Sequence, residues 1–271
     1  MRISTRTLSF LLVGSALLNV GAGLYFFIKT PSRPAEPPAR QEQIKKEVKV
    51  KGKAPASPKA ISLSMLHLDP LPARLRIRRS AILNTLVDKY GYQSYLEIGQ
   101  GQREQNLDWI QCRIRVGVDP EPTLNAAYQM TSDEFFAQNN DTFDLVFIDG
   151  LHHADQVERD ILNALAILND NGTIVVHDCN PLAEEYQLVP PPKNPKAWTG
   201  DVWKAWVKFR ASRPDLTMSV VNIDFGCGVI RKGNQDTIKI PDALTYSQLD
   251  SHRAEWLNLV SVQDFLARLR D

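Results

Sequence analysis

The sequence predicts an α/β domain built on a doubly wound sheet, and three observations carry that prediction. Beyond Leu71, apolar residues switch repeatedly between helical spacing and strand spacing. Phe143 to Ile148 is a nearly continuous apolar run, as expected of a parallel strand covered on both faces. Only Asn222, Ile223 and Asp224 separate the last two apolar runs, too short a link for a helical crossover, so that pair is predicted to be an antiparallel hairpin.

Taken in order, Ile77, Ile82, Leu83, Leu86, Val87 and Tyr90 mark a first helix that Gly91 stops. Ser94 to Ile98 is a short strand, Glu104 to Ile110 a helix, and Arg113 to Val118 a second strand with alternating Ile114, Val116 and Val118. Thr131 and Glu134 form a T-x-x-E capping box for a helix through Gln138. The strand Phe143 to Ile148 is followed by a helix with Val157, Ile161, Leu162, Leu165 and Leu168 on one face. Asn171-Gly172 is its predicted stop, and Thr173 to Val176 the next strand. A proline-rich loop from Pro181 to Pro195 leads to a helix over Val202 to Phe209 with Asp201 as its cap. Trp203 and Trp206 share one face of that helix, while Trp198 and Trp203 near the strand ends suggest an acceptor wall. Leu216 to Val221 and Phe225 to Ile230 form the hairpin, and Trp256, Leu257, Leu259, Phe265 and Leu266 predict a final amphipathic helix.

Ahead of this domain, assigned to 61–271, the 21 residues Leu8 to Ile28 carry no charge, enough helix to span the roughly 30 Å hydrocarbon layer. They are predicted to be a retained single-pass transmembrane anchor behind a short basic start at 1–7; a cleaved signal peptide would leave an apolar stub from Leu24 to Ile28. Residues 29–60 alternate prolines with basic residues and alanines, the composition of a disordered linker. Lys29, Arg33, Arg40, Lys45 and Lys46 outnumber Arg2 and Arg6, so the folded domain is predicted on the cytoplasmic side, attached to the membrane by the N-terminal helix. The net charge of +1 gives no field that would gather nucleic acid, and no such partner is expected. Three scattered cysteines make no disulfide framework.

The chemistry gathers at strand ends. Tyr95-Leu96-Glu97-Ile98-Gly99-Gln100-Gly101 runs from strand into a glycine turn, and glycines there let a ligand approach the backbone. Asp119 follows at the end of the second strand, where a carboxylate can accept from both ribose hydroxyls of an adenosine cofactor. Asp149 and Asp178 end adjacent strands, with His152, His153, His177 and Asn180 in the same turns. Two carboxylates with Asn180 beside them suit a hard cation such as Mg2+ or Mn2+, whereas His152 or His153 suits a general base.

These blocks resemble class I S-adenosylmethionine-dependent methyltransferases: Tyr95 to Gly99 at the first strand, Gly117 to Pro120 at the second, Phe143 to His153 at the fourth, and Gly172 to Asp178 at the fifth. The Asp-Gly-x-His and His-Asp turns are similar to those of a small O-methyltransferase-like branch. The resemblance implies a Rossmann-like seven-stranded sheet with an antiparallel terminal hairpin, and methyl transfer to an oxygen of a small-molecule or glycan-like acceptor. It implies that Glu97, Gly99 and Gly101 line the methionine part of the cofactor, that Asp119 holds the ribose, and that Ser132 and Asp133 lie near the adenine. It also implies a metal-assisted variant through Asp149 and Asp178, as in catechol O-methyltransferase-like enzymes. Arg103 stands where that family has a further glycine, and Glu104 follows it, so a bulky side chain can crowd the cofactor turn. Two other readings stay open: a membrane-tethered scaffold that keeps the fold without catalysis, and a nicotinamide-dependent oxidoreductase.

Overall fold

The computed structural model describes residues 79–270. The predicted anchor at 8–28, the linker at 29–60 and the first residues of the domain lie outside the described residues. Among the described residues, no helix is long and apolar enough to cross a membrane.

The chain runs α1 (Arg79–Tyr90), β1 (Ser94–Ile98), β2 (Ile114–Val118), α2 (Ser132–Gln138), β3 (Phe143–Ile148), α3 (Ala154–Ile167), β4 (Leu168–Val176), α4 (Val202–Ser212), β5 (Leu216–Val221), β6 (Cys227–Lys232), α5 (Tyr246–Leu257), β7 (Leu259–Val260) and α6 (Val262–Arg270). The sheet has seven strands in the order β2-β1-β3-β4-β6-β5-β7. Strand β6 runs antiparallel to both of its neighbours, and every other pairing is parallel. The predicted hairpin is therefore present.

The seven strands are reached by another route than the resemblance implies. Residues between β2 and β3 supply no strand, only a single bridge from Tyr128 to Val118, so β3 and β4 are the third and fourth strands in chain order. The seventh strand is the two-residue β7 beyond β5 at the opposite edge. Asn258, with φ 45°, ends α5 and turns the chain onto that edge, where its Nδ2 donates to the Met218 carbonyl at 2.8 Å.

Side-chain alternation divides the core between the sheet's two faces. Leu96, Ile98, Val146, Ile148, Ile174 and Val176 face α2, α3, α4 and α5 through Phe135, Ile161, Trp206 and Trp256. Tyr95, Leu145, Phe147 and Val175 face α1 and α6 through Ile82, Leu86, Phe265 and Leu266. Trp203 and Trp206 are fully enclosed, so helix packing explains them and neither forms an acceptor wall.

Several expected elements differ. The helix expected at Glu104 to Ile110 is two short 3-10 turns, Arg103–Gln105 and Leu107–Trp109. Asn106 between them points its Nδ2 into the core, donating to the Tyr95 hydroxyl at 3.0 Å and Glu97 Oε1 at 3.1 Å, and its φ of −148° breaks the helix. The strand expected from Phe225 begins at Cys227, because Asp224 and Phe225 adopt φ of 47° and 60° in the turn. Strand β4 begins at Leu168, ahead of the expected stop at Asn171-Gly172, with a register shift at its start. Leu162, expected on the buried face, is 49% exposed. The tail holds two helices, α5 and α6. Asp201 makes no side-chain cap on α4; its Oδ1 accepts instead from the Ala154 amide, at 2.8 Å, in the first turn of α3.

Candidate active site

Strand register brings the motifs together. Ile98 is level with Val118 on one side and Ile148 on the other, and Ile148 is level with Val176. The next residues, Gly99, Asp119, Asp149 and His177, therefore form one row beyond the carboxyl ends of four parallel strands, where ligands of open α/β sheets bind. Alternation sets their sides as well. Glu97, Asp149 and His177 continue the face of Tyr95, Phe147 and Val175, the face that α1 covers.

An open cavity of about 1560 Å³ runs along this row, lined at one end by Glu97, Gly99, Gly101, Asn106, Asp119 and Ser132. Gly99 has φ 80°, and a Cβ on it would lie 2.2 Å from the Asp149 carbonyl oxygen, so only glycine lets β1 and β3 close to this distance. Gly101 has φ 55° with open space where a Cβ would stand. Asp119 accepts from the Gly101 amide at 3.0 Å through one oxygen and from the Glu121 amide at 3.0 Å through the other. Each oxygen keeps a lone pair for a further donor. Glu97 is almost fully buried and accepts only from neutral groups, Tyr95 Oη at 2.9 Å and Asn106 Nδ2 at 3.1 Å. Burial pushes its carboxyl up to about 8, against the pull of Asn106 and Tyr95. Asn106 Oδ1 beside it is a buried acceptor without a hydrogen-bond partner. Ser132 lines the cavity, whereas Asp133 is bound to Gln156 Nε2 at 3.1 Å and is not among the lining residues. Arg103 does not crowd the turn: its guanidinium points away and pairs with Asp108 at 2.8 Å.

The other end holds three carboxylates and three bases. His177 places Nδ1 3.1 Å from both Asp149 Oδ1 and Asp178 Oδ1. Its Nε2 is 3.6 Å from Asp224, too far to donate but near enough to feel the charge. His152 lies between Asp149 at 3.3 Å and Asp178 at 3.2 Å, and its ring stacks on Trp198 with centroids 5.1 Å apart. Arg79, the first residue of α1, donates through Nη1 to Asp149 Oδ2, and through Nε to Asp224 Oδ2 at 2.8 Å. Burial opposes the charged form of His177, but Asp149 and Asp178 raise its pKa well above the usual histidine value. His152 is raised by the same two acids against the same burial. Burial would raise Asp149 and Asp224, yet His177 and Arg79 hold both far below the ordinary carboxylate range.

Of the expected site residues, Glu97, Gly99, Gly101, Asp119, Ser132, Asp149, His152 and Asp178 line one cavity. His153 does not; it stands at the start of α3 beside a second, smaller hollow. Asn180 does not either: its Oδ1 accepts from Arg253 at 2.6 Å and its Nδ2 donates to Asn222 at 3.1 Å. Asp149, His152 and Asp178 can each offer one donor atom within 4.8 Å of the others, a spacing open to a cation. The Arg79 guanidinium already occupies Asp149 Oδ2, and His177 faces Oδ1 of both Asp149 and Asp178. Arg79, Asp224 and Asn106 escape a reading of the sequence, since no local motif marks them. Only the register shows that α1 and the β5-β6 turn meet Asp149.

Residues 115–179 match the family model of a methyltransferase domain, a stretch that runs from β2 through β4 and contains Asp119, Asp149, His152 and Asp178. No curated protein matches the sequence. Solved structures with a similar arrangement include the O-methyltransferase TomG from Streptomyces achromogenes in complex with SAM, at 17% identity and TM-score 0.42 over 57% of this chain and 79% of that one. The O-methyltransferase from Bacillus cereus in complex with SAH aligns at 15% identity and TM-score 0.39, over 75% and 91% of the two chains. An SAH-bound methyltransferase from Podospora anserina aligns at 15% identity and TM-score 0.41, over 76% and 100%.

Proposed function

We propose that this protein transfers a methyl group from S-adenosylmethionine to a hydroxyl oxygen of a small or glycan-like acceptor. The observation that carries the reading is one continuous cavity with a nucleoside-type end at β1 and β2 and an acid-histidine end at β3 and β4. The cofactor supplies an electrophilic methyl on a positively charged sulfur, and the residues present fit it. Glu97 and the unpartnered Asn106 Oδ1 would take the amino group of its methionine part, and Asp119 the ribose hydroxyls. The open space at Gly101 would admit the backbone-hugging part of the ligand.

At the other end, His152 is the more exposed of the two imidazoles that line the cavity, with Asp149 and Asp178 on either side of its ring. Because both of its ring nitrogens face carboxylates, at 3.3 and 3.2 Å, the acceptor's hydroxyl would enter between His152 and one of those acids, and the imidazole nitrogen freed there would take the proton as the oxygen attacks the methyl carbon and the carbon-sulfur bond breaks. Trp198, stacked on His152, would set the distance of approach. Because the neighbouring acids raise the pKa of His152, the rate should climb as pH rises through that raised value.

The test is calorimetric titration of the full chain, in detergent, with S-adenosylhomocysteine. Saturable binding is expected, and Asp119→Ala should weaken it by about 1.5–3 kcal/mol, the scale of hydrogen bonds to a charged group. A folded wild type that does not bind would overturn the reading and leave a scaffold role in its place. The uncharged run from Leu8 to Ile28 further supports a single-pass membrane anchor, and the basic residues after it support a cytoplasmic domain.

A further inference from the structure

The acceptor end resembles a metal site in its acids and departs from one in its cations. Asp149, Asp178 and Asp224 are matched by Arg79, His152 and His177, each of which lies within salt-bridge reach of at least two of the acids. Arg79 is not a surface residue that swings in: its backbone amide also donates to Asp224 Oδ2 at 3.1 Å, so the start of α1 is pinned to the β5-β6 turn. The guanidinium then spans from that turn to the end of β3, tying together residues 145 and 70 positions away in the chain. The ring of His177 sits between the facing oxygens of Asp149 and Asp178. A divalent ion placed there would meet acids whose oxygens already face Arg79, His152 and His177.

We propose that Arg79 is the resident cation of this site, a positioning residue that takes the charge-balancing place of a divalent ion and keeps Asp149, His152 and Asp178 from binding one. The inference rests on the methyltransferase reading only for what the site is used for; cation occupancy is measured without any acceptor or cofactor. It turns the acid pair from a ligand set into the flanks of His152, because Asp149 and Asp178 stand on either side of the imidazole while Arg79 and His177 engage the acids.

The experiment is titration of the metal-stripped full chain in detergent with MnCl2, followed by calorimetry and manganese electron paramagnetic resonance. Wild type should show no saturable site below millimolar Mn2+. Arg79→Ala should gain one site, at least tenfold tighter than any wild-type binding, and Asp178→Asn in that background should remove it. Arg79→Lys keeps a positive charge near Asp149 and should still exclude the ion. Near-ultraviolet circular dichroism checks that each variant is folded. Saturable one-to-one Mn2+ binding by wild type that Asp149→Asn or Asp178→Asn abolishes would overturn the proposal, and this outcome needs no Arg79 variant to fold. A folded Arg79→Ala that gains no site would overturn it as well. Loss of S-adenosylhomocysteine binding bears on the function alone and leaves the manganese result standing.

Discussion

Glu97 is the residue whose chemistry changes most between the free protein and a liganded one. Burial holds its carboxyl at about 8, so near pH 7 most molecules carry it protonated. An ammonium group bound against it would favour the carboxylate and expel the proton. Binding of S-adenosylhomocysteine at pH 7 should therefore release up to about one proton, seen as a dependence of the calorimetric heat on the ionisation enthalpy of the buffer. Glu97→Gln should abolish that dependence; proton uptake, or none in wild type, would place the amino group elsewhere. The free protein carries the same signature in its stability. A buried acid with a raised pKa costs stability as pH rises from about 4.5, where the unfolded chain ionises, to about 8, where the folded one does. At this scale the sequence was half legible. Asp119 and Asp149 follow strands that the apolar pattern marks, so their place at the strand ends could be read. Asp224 could not, because its place depends on a turn at positive φ that displaces the strand start from Phe225 to Cys227.

Among the elements, the loop before α4 and the start of α3 are joined by a two-way clamp at Asp201. Its carboxylate accepts from the Ala154 amide at 2.8 Å, and its own amide donates to the His152 carbonyl at 3.2 Å. Helix α3 has no side-chain cap of its own, so Asp201 satisfies an end amide from outside the helix, and its negative charge suits the helix N-terminus. Asp201→Ala should cost about 1 kcal/mol in chemical denaturation, the usual value of a lost cap. It should also speed hydrogen exchange at Ala154, while Asp201→Asn should recover most of both. Equal exchange in all three proteins would show that the clamp holds nothing. By its position this aspartate belongs to the helix that follows it, since capping rules are local and the helix it serves lies 47 residues back. The same locality explains the two 3-10 turns after β1. A helical pattern of apolar residues was present, but Asn106 is drawn inward by Glu97 and Tyr95, partners that no pattern of spacing reveals.

For the whole molecule, alternation of apolar runs made the layers legible, because the central strands β1, β3 and β4 are almost wholly buried at their carboxyl ends. Strand count was reached for a different reason than expected, with β7 replacing a strand that is missing beside β2. The membrane reading belongs to this scale too. The full chain should sediment with membranes and resist carbonate extraction, while a chain beginning at residue 61 should stay in the supernatant. Carbonate release of the full chain would end the anchor proposal.

Strand β7 is only two residues long, yet it occupies the edge where β5 would otherwise lie open. It pairs with Val220 and Val221, and Asn258 covers the Met218 carbonyl beside them. At the far edge, Tyr128 engages the Gly117 carbonyl and the Asp119 amide, leaving only a short stretch of the five-residue β2 unpaired. Exposed edges are where sheets of separate molecules fuse, and both ends of this one are blunted. However densely such chains are crowded together, neither margin offers a neighbour a long strand on which to begin a shared sheet.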